Sequence, residues 1–420
     1  MPAIISDPEL SRRFALDVVS RLRQAGHEAV WAGGCVRDEL LGRIPADYDV
    51  ATSARPDQVR EIFGRRRTLA VGAAFGVITV LGPREAGQIE VATFRTDAAY
   101  TDGRHPAGVT FSTAREDAQR RDFTINGLFL DPISGEVHDY VGGRDDLKAG
   151  IVRAIGVPAM RFGEDHLRML RAVRFAAGFS FALDDETRRA IERMTHLVTT
   201  VSPERIAAEL RAMVSRTGRR RALELLDETG LAREVLVEVA PSADAAATDR
   251  EAWQQSARII DALDEPGLST ALAVLFERAG ESRLRQAASR LRLSNREVKL
   301  ASWLLDATAT IGDGDDLPLR PWSQVQPLIA HDDAFLLADL SRARADCGRG
   351  NAAAAAWVTT QIARPRGEID PPPLLTGADL IAAGVAAGPQ MGNLLARLRG
   401  MQLDGEITTR EQALEWVRQK

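Results

Sequence analysis

The chain is 420 residues long, 45% hydrophobic and 27% charged, with a formal net charge of −5. That length holds two to four domains with ample buried core, and the mixture is that of a soluble globular protein rather than a disordered or fibrous one. No uninterrupted apolar run approaches the ~18 residues that a membrane-spanning helix needs, and the opening MPAIISDPELSRRF lacks the basic-then-apolar pattern of a secretory signal. Cys35 and Cys347 lie far apart and suggest neither a disulfide framework nor a metal spacing, so a reducing cytoplasm is the expected setting. Aromatics are scarce at 5%, which leaves the cores to Leu, Val, Ile and Ala. The net charge is unevenly spread. Residues 1–222 hold 33 Lys+Arg against 30 Asp+Glu and residues 223–420 hold 21 against 29, so the halves carry +3 and −8. Nearly all the cations are arginine, whose fork matches phosphate geometry, which leaves room for a basic patch in the first half.

Residues 8–26 place Leu10, Phe14, Val18 and Leu22 near a helical period with Gly26 as a stop, which predicts an amphipathic helix. Residues 28–31 are a short strand feeding the Gly33–Gly34 turn, and 36–41 a brief helix. A glycine pair permits positive φ and close approach of a ligand to the main chain. The N–H groups of such a turn, with the positive end of a following helix, suit an anion. A strand over 48–51 would place the carboxylates of Asp47 and Asp49 on one face, where they repel unless a cation lies between them. Residues 56–63 are a helix with proline at its start, 69–71 and 76–81 a hairpin, and 88–94 a further strand. Residues 97–115 lack periodicity and read as a mobile loop.

Residues 120–128 predict a helix start, followed by strands at 129–131 and 137–139 around the turn 132–135. From about residue 158 the pattern is almost entirely helical. Helices are expected near 203–215, 219–228, 251–263, 269–279, 281–292, 295–311, 322–330, 334–345 and 351–363. Residues 365–373, PRGEIDPPP, read as a linker. Thr376 to Asp379 open one more helix, 388–401 contain the next, and Thr408 with Glu411 form a capping box for the last. The fold class is therefore α+β, a small mixed sheet with helices followed by an all-helical remainder.

Two constellations carry chemistry. Glu90 on the strand 88–94 would add a third carboxylate to Asp47 and Asp49. Hard Mg²⁺ takes a few carboxylates plus substrate phosphates, and ions held there would activate an attacking hydroxyl and neutralise a leaving pyrophosphate. Further on, Asp165, Arg168 and Arg171 recur at i, i+3 and i+6 and so tend to one helix face. The plain reading is a salt-bridged surface helix. The sharper one is a base reader. A carboxylate accepts from an amino group and a guanidinium donates to a ring nitrogen or carbonyl, so an Asp–Arg pair accepts cytosine and adenine and rejects uracil and guanine without a template.

These stretches resemble the family shared by bacterial tRNA nucleotidyltransferases and poly(A) polymerases. The resemblance runs from about residue 28 to 235 and returns more weakly over 374–418. Five signatures match in order: GGCVRD at 33–38, DYD at 47–49, RRDFTIN at 120–126, DPISGEVHDYVGG at 131–143 and EDHLRMLRAVRF at 164–175. The family implies Mg²⁺ on Asp47 and Asp49 with Glu90 as a third carboxylate. It implies a triphosphate on Gly33, Gly34 and Arg37, with Arg171 and Arg174 nearby. Arg121 and Asp122 would select the ribose hydroxyls, and Asp165 and Arg168 would read the base. The loop 97–115 resembles the element that family members use when switching from C to A addition. The implied architecture is a nucleotidyltransferase head (1–143), a base-reading neck (144–200), a helical body (201–312) and a helical RNA-binding tail (313–420). The implied activity is addition of CCA to the tRNA 3′ end from CTP and ATP. An A-only enzyme or a poly(A) polymerase is the alternative, although the long basic tail expected of the latter is missing. Oligomeric state is not legible.

Overall fold

A proline at the first helical position, with Asp7 ahead of it, starts helix α1 (Pro8–Gln24) in the computed structural model, which describes residues 7–97, 108–312 and 316–419. The Asp7 carboxylate accepts from the N–H groups of Glu9 and Leu10 at 2.8 and 3.2 Å, capping donors that no helical carbonyl can reach. Phe14, Val18 and Leu22 are buried on one face. The chain forms two units, Met1–Ala243 and Asp244–Lys420. The expected four-part division at 143, 200 and 312 is finer than these.

In the first unit the chain continues through β1 (Ala29–Ala32), α2 (Gly34–Leu40), β2 (Asp49–Thr52), α3 (Pro56–Phe63), β3 (Thr68–Leu69), β4 (Val77–Leu81) and β5 (Gln88–Thr93). A separate ribbon, β6 (Arg95–Asp97) with β7 (Val109–Phe111), precedes α4 (Ala114–Gln119), β8 (Leu128–Leu130) and β9 (Val137–Asp139). Seven strands form one mixed sheet in the order β3-β4-β5-β2-β1-β8-β9. Only β2 and β5 run parallel, and their register sets Asp49 beside Glu90. β1 lies inside the sheet and all four of its residues are buried. Phe94 and Phe129 meet edge to face at 6.0 Å beneath it, in a cluster with Val30, Ala32, Ala51, Ala114 and Ala118. Burying each phenylalanine contributes roughly 1.5–3 kcal/mol.

After β9 come α5 (Gly143–Ala149), β10 (Ile151–Val152), α6 (Pro158–Glu164), α7 (Arg168–Phe179), β11 (Ala182–Leu183), α8 (Asp185–Met194), α9 (Pro203–Val214), α10 (Arg219–Glu228) and α11 (Ala232–Val235). The second unit is helical throughout its described residues: α12 (Ala247–Asp261), α13 (Leu268–Leu275), α14 (Glu281–Arg290), α15 (Asn295–Ile311), α16 (Trp322–Ile329), α17 (Ala334–Asp346), α18 (Ala352–Ile362), α19 (Arg366–Ile369), α20 (Gly377–Ala382), α21 (Pro389–Leu403) and α22 (Arg410–Arg418). Its last three helices close on a small core that includes Leu380, Leu398, Ala413 and Val417. No helix among the described residues is long and apolar enough to cross a membrane.

The α+β class stands, with local corrections. The RRDFTIN segment does not start a helix. A Thr113–Glu116 capping box starts α4 earlier, α4 ends at Gln119, and Thr124–Asn126 is a single 3-10 turn. The stretch 164–175 is broken. Asp165 is extended at φ −146°, its carboxylate accepts from Leu167 N–H at 3.1 Å and its carbonyl from Arg168 N–H at 3.0 Å, an aspartate turn that competes with helical bonding. The linker 365–373 contains the one-turn α19, and the last cap uses Thr409 and Gln412. A short parallel pair, β10 with β11, interrupts the expected all-helical run. The expected loop 97–115 contributes β7 and the start of α4, while its residues 98–107 lie outside the described residues.

Gly218 precedes α10 at φ +80°, and a Cβ there would lie 2.1 Å from the carbonyl oxygen of Ala177 on α7. Gly218→Ala should therefore push α10 off α7 and lower stability by roughly 2–4 kcal/mol. Urea unfolding measures this, and a loss under ~0.5 kcal/mol would show that the two helices yield freely.

Candidate active site

The strand β1 runs directly into the glycine turn. Gly33 has φ +72°, and a Cβ on it would lie 2.7 Å from Arg121 Nη1, so backbone and neighbour both demand glycine. Its N–H donates to the Leu128 carbonyl at 3.1 Å, tying the turn to β8. Gly34 opens α2, whose first-turn N–H groups have no acceptor within the helix. A Cβ on Gly34 would stand 3.7 Å from Arg37 Nη2. Arg37 is buried. It donates from Nη1 to Asn126 Oδ1 at 2.6 Å and from Nε to Asp38 at 2.9 Å, and it lies 4.4 Å over the Phe179 ring. Cys35 sits beneath the turn with its Sγ 3.3 Å from the Ala32 carbonyl, and burial pushes its thiol up to about 12. A thiol held neutral in this way is a packing residue.

The carboxylates stand at the start of β2 and on β5. β2 begins at Asp49, so Asp47 lies in the bend just before the strand rather than on it, exposed, while Asp49 is half-buried. Glu90, also exposed, is the register neighbour of Asp49 on β5. Burial, then the like charges of Asp47 and Glu90, push the Asp49 carboxyl up to about 6 against the pull of Arg121. The three carboxylates therefore repel one another with little local compensation, which is the donor set a hard divalent cation relieves. Among the described residues no three metal-ligating side chains converge into a ready-made cage. An ion here would complete its shell with substrate oxygens, as Mg²⁺ commonly does.

RRDFTIN closes the site from β8's side. Arg121 pairs with buried Asp117 at 3.1 Å and donates to the Asn126 carbonyl at 3.2 Å. Burial would push the Asp117 carboxyl up, but Arg121 and Arg120 outweigh it and hold it below the usual range. Asp122 accepts from Asn126 Nδ2 at 3.0 Å and from Arg171 Nη2 at 2.7 Å. Despite its burial, Arg171, Asn126 and Arg168 hold its carboxyl down at about 2. Arg174, three residues along α7 from Arg171, pairs with buried Glu209 of α9 at 2.6 Å. The expected base readers do not pair with each other. Asp165 accepts from Arg205 at 2.8 Å, and Arg168 donates to Glu164 at 2.6 Å and to the Arg161 carbonyl at 3.2 Å. Each is thus held by a partner of its own, and because the helix breaks at Asp165 they do not share one helical face.

Sequence reasoning assigned no role to Asn126, Asp117, Glu209, Arg205 or Glu164. Asn126 stands inside a matched motif, and its ability to donate and accept at once was the available signal. Asp117 stands among other charges in AREDAQRR and Glu209 two residues before Arg211, so neither is set apart by its surroundings in the sequence.

Two family models match the first unit, the poly A polymerase head domain over residues 29–153 and the probable RNA and SrmB-binding site of polymerase A over residues 180–243. The CCA-adding enzyme of Lactobacillus gasseri is 43% identical over 222 residues, 53% of this chain and 54% of that protein. The CCA-adding enzyme of Bacillus subtilis is likewise 43% identical, over 53% of this chain and 55% of its own. The matched stretch thus spans about half the length of these curated relatives. The crystal structure of the Bacillus stearothermophilus CCA-adding enzyme in complex with CTP superposes with a TM-score of 0.76 at 29% identity, covering 97% of each chain. A Thermotoga maritima CCA-adding enzyme complexed with tRNA shares the fold, with a TM-score of 0.67 at 20% identity over 98% of this chain and 96% of that one.

A carboxyl raised by folding binds a proton that the unfolded chain releases. Ionised Asp49 therefore destabilises the metal-free protein fully above about pH 6 and not at all below about pH 4. Asp49→Asn should raise stability by about 1–3 kcal/mol at pH 8, with the gain gone at pH 4, and millimolar Mg²⁺ should raise the melting point of the natural protein but not of this variant. Equal gains at both pH values would show that Asp49 carries no strained charge.

Proposed function

We propose that the chain is a member of the bacterial tRNA nucleotidyltransferase and poly(A) polymerase family, to which its head-domain match and its likeness to CCA-adding enzymes point, and that it adds CMP, CMP and AMP, from CTP and ATP, to the 3′ end of tRNA without a nucleic-acid template. The observation that carries this reading is that three separated motifs, GGCVRD, RRDFTIN and EDHLRMLRAVRF, meet through their polar side chains in the first unit. The glycine-turn helix and Arg171 of α7 are linked there through Asn126 and Asp122, and the charge of Arg121 reaches Asp49.

The residues fit an Mg²⁺ site, with Asp47 and Asp49 as ligands and Glu90 as a third carboxylate. Bound there, the ion neutralises triphosphate charge and acidifies the RNA 3′ hydroxyl. The Gly33–Gly34 turn and Arg37 hold the phosphates, with Arg171 and Arg174 supplying further positive charge from α7. Arg121 lies across the turn, and Asp122, fixed by Asn126 and Arg171, stands at the ribose. In the in-line displacement the 3′ oxygen forms a bond to the α-phosphorus and the bond to the β-phosphate oxygen breaks. The hydroxyl proton leaves with solvent or a neighbouring carboxylate, and the leaving pyrophosphate is held by the arginines.

Asp165 and Arg168 supply base choice. Asp165 spends one oxygen on Arg205 and the other on Leu167 N–H. A carboxylate has roughly four acceptor sites, so capacity remains for the amino group of cytosine or adenine. Arg168 donates through Nη1 and Nη2, and its Nε–H has no partner among the described residues.

The test offers each nucleoside triphosphate singly, with Mg²⁺, to tRNAs lacking CCA, CA or A. CTP should be incorporated on the first two and ATP only on the third. No incorporation of either would sink the reading, ATP addition without any use of CTP would make it an A-adding enzyme, and long A tracts would make it a polymerase. Asp47→Asn should lower incorporation by about 10²–10³-fold. Asp165→Ala should admit UTP and GTP while Mg²⁺ binding is unchanged, and lost Mg²⁺ binding in that variant would overturn the division of roles.

A further inference from the structure

Beside Arg37 opens a cleft of about 370 Å³ whose cations are Arg37, Arg43, Arg174 and Arg216 and whose carboxylate is Asp38. Asp38 is spent on Arg37 at 2.8 Å, and Arg174 has Glu209. Arg43 and Arg216 are exposed, and neither has a carboxylate partner among the described residues. Arg43 lies 5.0 Å over the Phe179 ring. Burial, then the like charges of Arg171 and Arg216, hold the Arg174 guanidinium below its ordinary value in spite of Glu209. Two guanidiniums without counter-charge at one concave surface mark a place for a polyanion.

The lining separates this cleft from the reacting centre. Neither turn glycine lines it, nor does Asp47, Asp49 or Glu90, so the phosphorus under attack lies elsewhere and Arg37 is the wall between. Phe175, Phe179 and Met213 add apolar surface, for which a bare triphosphate has no use. A single-stranded RNA end uses both, its phosphodiesters on arginine and its sugars and bases on apolar and aromatic faces.

We propose that this cleft holds the RNA strand just upstream of its 3′ hydroxyl, with Arg43 and Arg216 each binding a backbone phosphodiester. The assignment rests on the activity proposed above. It is tested with Arg43→Ala, Arg216→Ala and the double variant in the full chain, side chains exposed enough for the fold to survive. Binding of a labelled tRNA lacking CA is measured without nucleotide across a KCl series, and KM for CTP is measured separately. Each alanine should weaken RNA binding about 3–10-fold and reduce the salt slope by about 0.7–0.9. Lysine at either position should restore most of the binding, and KM for CTP should not move. Unchanged RNA affinity and slope in the double variant would overturn the proposal, as would a raised KM for CTP with RNA binding intact, which would give the cleft to the triphosphate. Because binding is read without turnover, failure of the natural protein to use CTP or ATP would remove the proposed activity while leaving the cleft's own result decisive.

Discussion

Asp122 is nearly withdrawn from water and its partner Arg171 is only one-third exposed, and moving charges so far from solvent is worthwhile only if the remaining polar valences are met. Here the valences are met by a chain of side chains. Asn126 donates to Asp122 and accepts from Arg37, so the glycine-turn helix is joined to the 3-10 turn and thence to α7. Glu209 of α9 continues the chain through Arg174. Breaking one link strands a buried charge, which is far more damaging than losing a surface pair. The sheet supplies rigidity, but this polar chain fixes where the arginines of α7 stand relative to the carboxylates of β2 and β5.

Much of this was legible in the sequence because its signals are local. Phe14, Val18 and Leu22 mark α1 by period, and proline marks the start of α3. Misreadings arose where a polar side chain chose a local backbone partner over the regular ladder. Asp165 breaks a stretch whose charge spacing reads as continuous helix, and Thr409 outcompetes Thr408 as a cap. Within the site, the motif residues were visible as residue types at short spacing, whereas their partners were not. Asp117 is near Arg121 in sequence, but Glu209 is 35 residues from Arg174 and Arg205 is 40 from Asp165. Nothing in a one-dimensional pattern marks such pairs.

The composition acquires a structural meaning in this light. Only Lys148, Lys299 and Lys420 interrupt an otherwise arginine-only set of 54 cations. Arg37, Arg121 and Arg171 each bind at least two partners in different directions, one of them often a ring face. A planar fork does this without losing its charge, whereas a buried ammonium readily loses its proton. The acidic overall balance therefore says little about affinity for polyanions, since many of the counter-charges are spent on particular guanidiniums while Arg43 and Arg216 stand together in one cleft without them.

The missing side chain at residue 33 also shapes how this protein can change. Arg121 lies where a Cβ on Gly33 would be, so the two positions occupy a single volume. A substitution at residue 33 needs the Arg121 guanidinium to move aside and strains the backbone at φ +72° in any case. Trimming residue 121 first frees the space but leaves Asp117 buried without one of its counter-ions. The two positions are thus epistatic, their effects non-additive in a double-mutant cycle. Drift at the phosphate turn is therefore limited twice, by a left-handed backbone that strains any side chain and by an arginine nearly ninety positions away.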